Sequence, residues 1–223
     1  MNMLANDLVR REDVGPVATL TLNRPDKGNA LSEAMLAALS ERIAEVGRDD
    51  GVRVVVLAAN GRVFCGGHDL AEMRTHEDQG YFEDLFARCT RMMLSIRQSP
   101  KPFIAKVQGA AVAAGCQLVA TCDLAYAADT ARFGVNGINL GLFCSTPSVA
   151  VSRTILPKQA LDLLFTGRLV DAGRAAELGL VNAAVPADQL DAAVAETAGL
   201  IADKVPEAIA LGKDAFYAQS ELD

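Results

Sequence analysis

Nearly continuous runs of apolar residues alternate along the chain with longer stretches in which apolar residues recur at helical spacing. Residues 8–13 and 17–23 predict the two strands of a hairpin, because Val14-Gly15-Pro16 lies between them. Residues 52–58 and 103–107 are almost entirely apolar, which is typical of strands covered on both faces. A shorter run at 124–127 predicts a further strand.

Helices are predicted between these strands. Ser32 is a candidate N-cap, and helical spacing follows it at Met35, Leu36, Leu39, Ile43 and Val46. Residues 81–96 and 116–121 predict two more helices, and residues 60–67 predict a glycine-bearing loop. The alternation of strand and helix predicts an α/β fold rather than an all-β protein or a helical bundle.

From residue 145 onward the pattern is mainly helical. Pro147 suits a first helical position, Asp171 can cap a helix at 172–178, and residues 187–204 predict a long helix. Residues 181–185 predict the one strand of this part. Because no linker or repeat interrupts the chain, residues 1–144 and 145–223 are interpreted as two parts of the same domain.

Composition limits the partners. The 223 residues suit one large domain, and 51% of them are hydrophobic. The net charge of −7 argues against nucleic acid and against a membrane surface, because both are polyanionic. Local lysines and backbone amides can still hold the phosphates of an anionic ligand.

The five cysteines are scattered and, with His68 and His76, show no zinc-ligand spacing, so no metal is expected. Unpaired thiols suggest a reducing compartment. The first residues carry charges and lack the apolar segment of a secretory signal, and no apolar run is long enough to span a bilayer. These features predict a soluble, cytoplasmic protein.

Two turns rich in small residues follow predicted strands. The first is Val63-Phe64-Cys65-Gly66-Gly67-His68-Asp69-Leu70, and the second runs from Gly109 to Gln117. Each is followed by a probable helix start, where backbone N–H groups lack partners. Two such groups aimed at one point would form an oxyanion hole for a thioester carbonyl. The alternative interpretation is a pair of tight turns with close helix packing, which is common in α/β proteins.

The chain resembles the enoyl-CoA hydratase/isomerase (crotonase) superfamily between residue 22 and about residue 214. The matching stretches include Leu22-Asn23-Arg24-Pro25, Asn29-Ala30-Leu31, Phe64 to Leu70, Gly109 to Gln117 and Cys122-Asp123-Leu124. The stretches 113–120 and 141–147 are most similar to the subgroup of enoyl-CoA hydratase domain-containing protein 3. The resemblance implies a spiral of ββα units with a helical C-terminal region, lyase or isomerase chemistry on acyl-CoA, and a homotrimer or hexamer. Coenzyme A would then be part of the substrate, and no separate cofactor is expected.

The resemblance assigns the two oxyanion-hole amides to His68 and Ala114. It places Lys27 and Ala30 against coenzyme A, although Lys27 is as readily interpreted as a solvated turn residue. The thioester end would be lined by four residues of the first turn: Cys65, Gly67, Asp69 and Leu70.

Two positions depart from the family pattern. Hydratases of this family use two glutamates as a general acid and base acting on one water, and these fall on Gln117 and Gly137 here. A carboxamide can orient a water but has no proton to exchange near neutral pH. Ordinary hydration is therefore not expected, and a decarboxylase-like enzyme or a non-catalytic acyl-CoA-binding protein are the alternatives.

A histidine and several cysteines are further candidates for chemistry. The His68 ring could act in catalysis, as a histidine does in a related decarboxylase, or could serve as a structural hydrogen-bonding group. Cys144 as a nucleophile lacks an evident base, and Cys116 and Cys122 suit small core positions. Family members continue past the position of Asp223, and the helices that strengthen their trimer contact are expected to be missing from this chain.

Overall fold

A computed structural model of the chain describes residues 8–220. Its strands are β1 (Val9–Val14), β2 (Val17–Leu22), β3 (Val54–Ala59), β4 (Val63–Cys65), β5 (Phe103–Val107), β6 (Ala110–Val112), β7 (Leu124–Ala128), β8 (Arg132–Gly134), β9 (Val170–Asp171) and β10 (Ala183–Val185). Its helices are α1 (Glu33–Arg48), α2 (Leu70–Met73), α3 (Gln79–Gln98), α4 (Ala114–Thr121), α5 (Ser145–Ser152), α6 (Pro157–Thr166), α7 (Ala172–Leu178), α8 (Leu190–Ala202) and α9 (Pro206–Gln219).

The larger sheet has six strands in the order β1-β2-β3-β5-β7-β10. The predicted hairpin is confirmed: β1 pairs antiparallel with β2, and Gly15 turns the chain with φ +57°. The other pairs are parallel. Val54 to Ala58 of β3 are all buried, as expected for a parallel strand covered on both faces.

A second sheet, in the order β4-β6-β8-β9, consists of strands of two or three residues. The sequence did not indicate it, and the predicted loop at 60–67 is corrected, because β4 lies within it. Strands this short show no periodicity, and β6 consists of small residues. Each of β3, β5 and β7 is followed by a short strand of this second sheet and then by a helix. The chain therefore repeats a ββα unit, and the predicted α/β class is confirmed.

The predicted caps of α1 and α7 are both present. Ser32 Oγ accepts from Met35 N at 3.2 Å, and Asp171 Oδ1 accepts from Arg174 N at 2.7 Å. Other helix boundaries differ from the predicted ones. The helix predicted at 81–96 is α3, and the one predicted at 116–121 is α4, which starts two residues earlier.

The prediction of one long helix at 187–204 was wrong in its bounds, because a 3-10 turn (Ala187–Gln189) precedes α8. Pro147 is the third residue of α5 rather than the first, and the strand predicted at 181–185 is shortened to β10.

A buried ion pair ties α9 to the rest of the fold. Lys213 Nζ lies 2.7 Å from Asp123 Oδ2 and also donates to the carbonyls of Ile96 and Lys101, both at 2.9 Å. Residues 145–220 are mainly helical, with β10 paired to β7 at the edge of the larger sheet. The ends of the proposed division, residues 1–7 and 221–223, lie outside the described residues. Between residues 8 and 220, no helix is both long and apolar enough to cross a membrane.

Candidate active site

The first amide of the site is that of His68, directly after β4. Leu31 and His68 form a parallel bridge, in which Leu31 N donates to Gly67 O at 2.8 Å and Asp69 N donates to Leu31 O. In such a bridge the central residue directs its own N–H away from the partner strand. Within residues 8–220 no acceptor meets the N–H of His68.

The second amide is that of Ala114, the first residue of α4. Ala113 before it has φ +50° and ψ −121°, a conformation that residues with a Cβ rarely adopt. The Ala113 N–H donates to Gly134 O at 2.8 Å, which fixes the turn on β8. The N–H of Ala114, like other first-turn amides, has no acceptor in the described part of the chain. Backbone strain of about 1–3 kcal/mol is thus retained at the residue that aims this amide.

The two turns touch each other. A Cβ placed on Gly67, which has φ +89°, would lie 3.0 Å from Ala113 Cβ and 3.3 Å from Ala114 N. A Cβ on Gly115 would lie only 2.1 Å from Cys65 O. Both glycines are therefore required for the close approach of the two segments, and this approach brings the turn at Gly67 into contact with the start of α4.

The segment from Lys27 to Ala30 lies against the first turn, because Gly66 N donates to Gly28 O at 2.9 Å. Asn29, which the sequence interpretation did not single out, holds this segment. It is fully buried with φ +52°, and its Nδ2 donates to the carbonyls of Asn60 and Val63. The tolerance of asparagine for the left-handed region after a turn was the available signal. Lys27 itself is exposed.

The four residues predicted to line the thioester end occupy different environments. Cys65 is fully buried, and burial raises the pKa of its thiol to about 12. Asp69 is engaged twice: Oδ1 caps α2, and Oδ2 lies 2.9 Å from Arg24 Nη1. Leu70 is 43% exposed. Within this group, Leu70 has surface open to a ligand, whereas Cys65 and Asp69 are committed to structure and Gly67 is buried with its carbonyl engaged by Leu31 N.

The His68 ring lies inside the molecule, edge-on to Phe86 with the ring centroids 5.3 Å apart. Both ring nitrogens are buried, and no side chain or backbone group of residues 8–220 lies at hydrogen-bonding geometry to either. Burial lowers the pKa of His68, and the Leu31 backbone only partly opposes this shift. The ring is therefore a neutral polar group enclosed by the fold.

This lowered pKa predicts an acid sensitivity of the fold. The unfolded state binds a proton near pH 6.5 and the folded state resists it, so stability is full above pH 6.5 and falls on acidification. The slope should approach about 1.4 kcal/mol per pH unit from this group alone. We expect His68→Gln to lose less stability than the wild type between pH 7.5 and 5, as measured by urea unfolding. His76→Gln, at an exposed position, is the matched control; parallel curves for wild type and His68→Gln would contradict the assignment.

Gln117 lies on α4 one turn after Ala114. It is 6% exposed, and its Oε1 is buried without a hydrogen-bond partner in the described part of the chain. Since side chains three residues apart share a helix face, Gln117 projects from the side that carries the Ala114 amide.

Gly137 lies in a 3-10 turn (Asn136–Leu140) before α5, which packs against α4. A Cβ on Gly137 would meet Leu142 O at 2.6 Å and Cys144 Sγ at 2.7 Å. The backbone of Gly137 is not in the left-handed region, so space rather than φ excludes a side chain there.

The cysteines are unsuited to nucleophilic chemistry. All five are free and buried, and burial raises the pKa of every one of their thiols. Residues 8–220 place no base beside Cys144 that would draw its proton, and a buried protonated thiol is inert. Among the described residues no group of three His, Cys, Asp or Glu side chains is placed to hold a metal ion.

Comparison with known proteins places this geometry in context. A family model described as "Enoyl-CoA hydratase/isomerase" matches residues 12–223. Proteins of Mus musculus and Homo sapiens named "Enoyl-CoA hydratase domain-containing protein 3, mitochondrial" are each 41% identical to this chain over 207 residues. The match covers 93% of this chain and 69% and 68% of the two relatives.

Solved structures agree. An enoyl-CoA hydratase of Mycobacterium smegmatis superimposes with a TM-score of 0.95 at 53% identity, covering 97% of this chain and 84% of that one. Human enoyl-CoA hydratase domain-containing protein 3 gives 0.94 at 39% identity, with 97% and 85% covered. The resemblance inferred from the motifs, including the subgroup, and the crotonase fold are both confirmed.

The predicted cytoplasmic location is wrong on this comparison. The relatives from mouse, rat and human, each 41% identical, are named as mitochondrial proteins. Free thiols indicate only that a compartment keeps cysteines reduced, and they do not distinguish one such compartment from another.

Proposed function

The chain belongs to the enoyl-CoA hydratase/isomerase family, and from this we propose that it binds an acyl-CoA thioester and stabilises the enolate or oxyanion of its carbonyl with the amides of His68 and Ala114. Coenzyme A enters as part of the substrate. Two fixed N–H donors aimed at the developing negative charge are the group that this chemistry requires.

One observation carries the proposal: the two turns are in contact at Gly67 and Ala113, and each presents an amide without an acceptor in the described part of the chain. A purely structural pair of turns would not need the strained conformation of Ala113. The strain is retained where it sets the direction of the Ala114 N–H, which favours a binding role over tight packing alone.

The reaction is proposed to be one that needs carbonyl polarisation and not a pair of carboxylates. Gln117 supplies a hydrogen-bonding group but no exchangeable proton, and Gly137 has no room for a side chain. Isomerase-type or other enolate chemistry is therefore favoured over the addition of water.

Ligand binding gives the first test. Acyl-CoA or free coenzyme A should raise the melting temperature, because a ligand that binds only the folded state stabilises it by about 2.7 kcal/mol at a hundred times its Kd. A panel of short and medium acyl-CoA thioesters, read by thermal unfolding, measures this. Dephosphorylated pantetheine thioesters control for the contribution of the nucleotide. The absence of a shift at millimolar concentrations of every thioester would refute the proposal.

A second candidate function is decarboxylation of a malonyl-type thioester, which the His68 ring favours. Its two buried nitrogens have no protein partner and could hydrogen-bond a substrate group. Loss of carbon dioxide leaves the same enolate at the same amides. Release of carbon dioxide from malonyl- or methylmalonyl-CoA, abolished in His68→Ala, would select this candidate; ligand binding without any turnover would select a non-catalytic binding protein.

A homotrimer or hexamer also remains a proposal. It is supported by large apolar side chains that the single chain leaves open to solvent around α6: Leu140, Leu156 and Phe165 are each more than 60% exposed. Clustered exposed apolar surface is typical of protein interfaces.

A further inference from the structure

A cavity of about 640 Å³ lies against α4, the helix whose first residue carries the proposed oxyanion amide of Ala114. It lies between α3, α4, α5 and α9, and Gln117 forms part of its wall. Its volume is within the range of sites for small organic ligands. The function proposed above places only the thioester carbonyl, and it assigns no part of the substrate to this space.

The cavity and the proposed oxyanion hole share the helix α4. Ala114 carries the proposed oxyanion amide, Gln117 follows one turn later, and Thr121 a further turn on; the last two line the cavity. At 1.5 Å per residue, Ala114 and Thr121 are about 10 Å apart along the helix. The Oε1 of Gln117, which lies between Ala114 and Thr121 on this helix, has no partner among the described residues and is a second indication of a ligand.

Arginine side chains form part of the cavity wall. Arg97 lines it, with its guanidinium carbon 4.1 Å from the centroid of the Tyr217 ring. Arg153 lines it as well. Among residues 8–220, Asp123 is the one carboxylate in the wall. The group that Arg97 offers to the cavity is therefore a guanidinium on a stacked, ordered side chain.

The Asp123 carboxylate does not neutralise Arg97. It already accepts from Lys213 Nζ at 2.7 Å, Tyr217 Oη at 2.8 Å and Phe103 N at 2.7 Å. Within residues 8–220 the guanidinium of Arg97 stacks on the Tyr217 ring but makes no hydrogen bond. Tyr217 is itself fixed by its bond to Asp123, so the stack holds Arg97 in place with its donors available.

We propose that this cavity binds the distal end of the acyl chain and that Arg97 selects acyl groups that end in a carboxylate. The inference rests on the acyl-CoA function proposed above. A planar guanidinium that is oriented by stacking matches a carboxylate with two parallel hydrogen bonds. An extended acyl chain advances about 3.5 Å for every three bonded atoms. A chain that runs the 10 Å between Ala114 and Thr121 therefore contains about nine atoms. The substrate class is thus the medium-chain α,ω-dicarboxylic monothioester of coenzyme A.

The test compares two saturated thioesters of about ten carbons by calorimetry, one ending in a carboxylate and one in a methyl group. The wild type should bind the carboxylate-ended thioester about 10- to 100-fold more tightly, the usual effect of a charge-assisted hydrogen bond. Arg97→Gln should abolish this preference without weakening the methyl-ended thioester. Arg91→Gln, which removes a positive charge from the exposed surface of α3, should leave the preference intact.

The outcomes separate the two proposals. If neither thioester binds the wild type, the acyl-CoA function itself fails. If both bind equally, or the methyl-ended one binds better, the function stands and the carboxylate specificity is overturned. Arg97→Lys keeps the charge but loses the planar fork, so it should retain part of the preference. If Arg97→Gln does not fold, the ratio of affinities for the two thioesters is compared between the wild type and Arg97→Lys. A wild-type ratio near one would refute the role of Arg97. An unchanged ratio in Arg97→Lys would refute it as well.

Discussion

Gly115→Ala is expected to destabilise the protein by more than about 3 kcal/mol, while the same change at Gly212 should stabilise it by about 0.5–1 kcal/mol. A Cβ at Gly115 would lie 2.1 Å from Cys65 O and 2.7 Å from Cys65 C. Both are backbone atoms of a buried strand, so neither can move aside cheaply. Gly212 lies on the exposed side of α9 with nothing within 4 Å of the added Cβ, and alanine there only restricts the unfolded chain.

Urea unfolding of the two variants, followed by circular dichroism, measures the difference. Because the chemical change is identical, the contrast isolates the contact between α4 and β4. The Gly115 variant should also lose acyl-CoA binding, since the added methyl group separates the two amide-bearing turns. Equal effects at the two positions, or a Gly115 variant within 1 kcal/mol of the wild type, would show that the turns do not meet as described.

The sequence predicts those elements whose signal is local and long. The β1–β2 hairpin has a glycine turn, and α1 has both a cap at Ser32 and five apolar residues at helical spacing, so each was identified from the chain alone. The second sheet was missed because its strands contain at most three residues. Such strands are defined by their neighbours, not by their own composition.

In the site, too, local features were predicted from the sequence and tertiary contacts were not. The two small-residue turns were identified from their glycines and from the strands before them. Their contact could not be, because Gly67 and Ala113 are far apart in sequence and meet only through the tertiary fold. The strained φ of Ala113 and the anchoring role of Asn29 likewise arise from pairing with Gly134, Asn60 and Val63. Arg97 gave no signal, since an arginine near the end of a helix is ordinarily a solvated residue.

Crotonyl-CoA hydration by the wild type is expected to be at least about 10⁴-fold below the median enzyme rate of about 10 per second. Neither Gln117 nor Gly137 can transfer a proton, and general acid–base catalysis is worth about 10²–10⁴ for each positioned group. The loss of absorbance of crotonyl-CoA measures the rate, with protein heated to unfolding as the blank. Turnover near 10 per second would show that the positions of the acid and base were assigned wrongly.

Restoring both carboxylates should not restore hydration. Gln117→Glu is expected to fold, since it is nearly isosteric, but alone it supplies only half of an acid–base pair whose members act as a unit. Gly137→Glu is expected to lose about 1–3 kcal/mol of stability, because its Cβ would meet Leu142 O at 2.6 Å and Cys144 Sγ at 2.7 Å. Cys144→Ala removes the second contact but not the first, which is backbone. The segment from Gly137 to Cys144 must therefore move before a glutamate fits. The hydration rate of the double variant should rise less than about tenfold over the wild type, whereas two well-positioned carboxylates would raise it by at least about 10⁴.

Unfolding curves and coenzyme A binding on each variant separate misfolding from misplacement of the new carboxylates. A double variant as stable as the wild type and hydrating crotonyl-CoA at about 10 per second would mean that two side chains alone distinguish this protein from the hydratases.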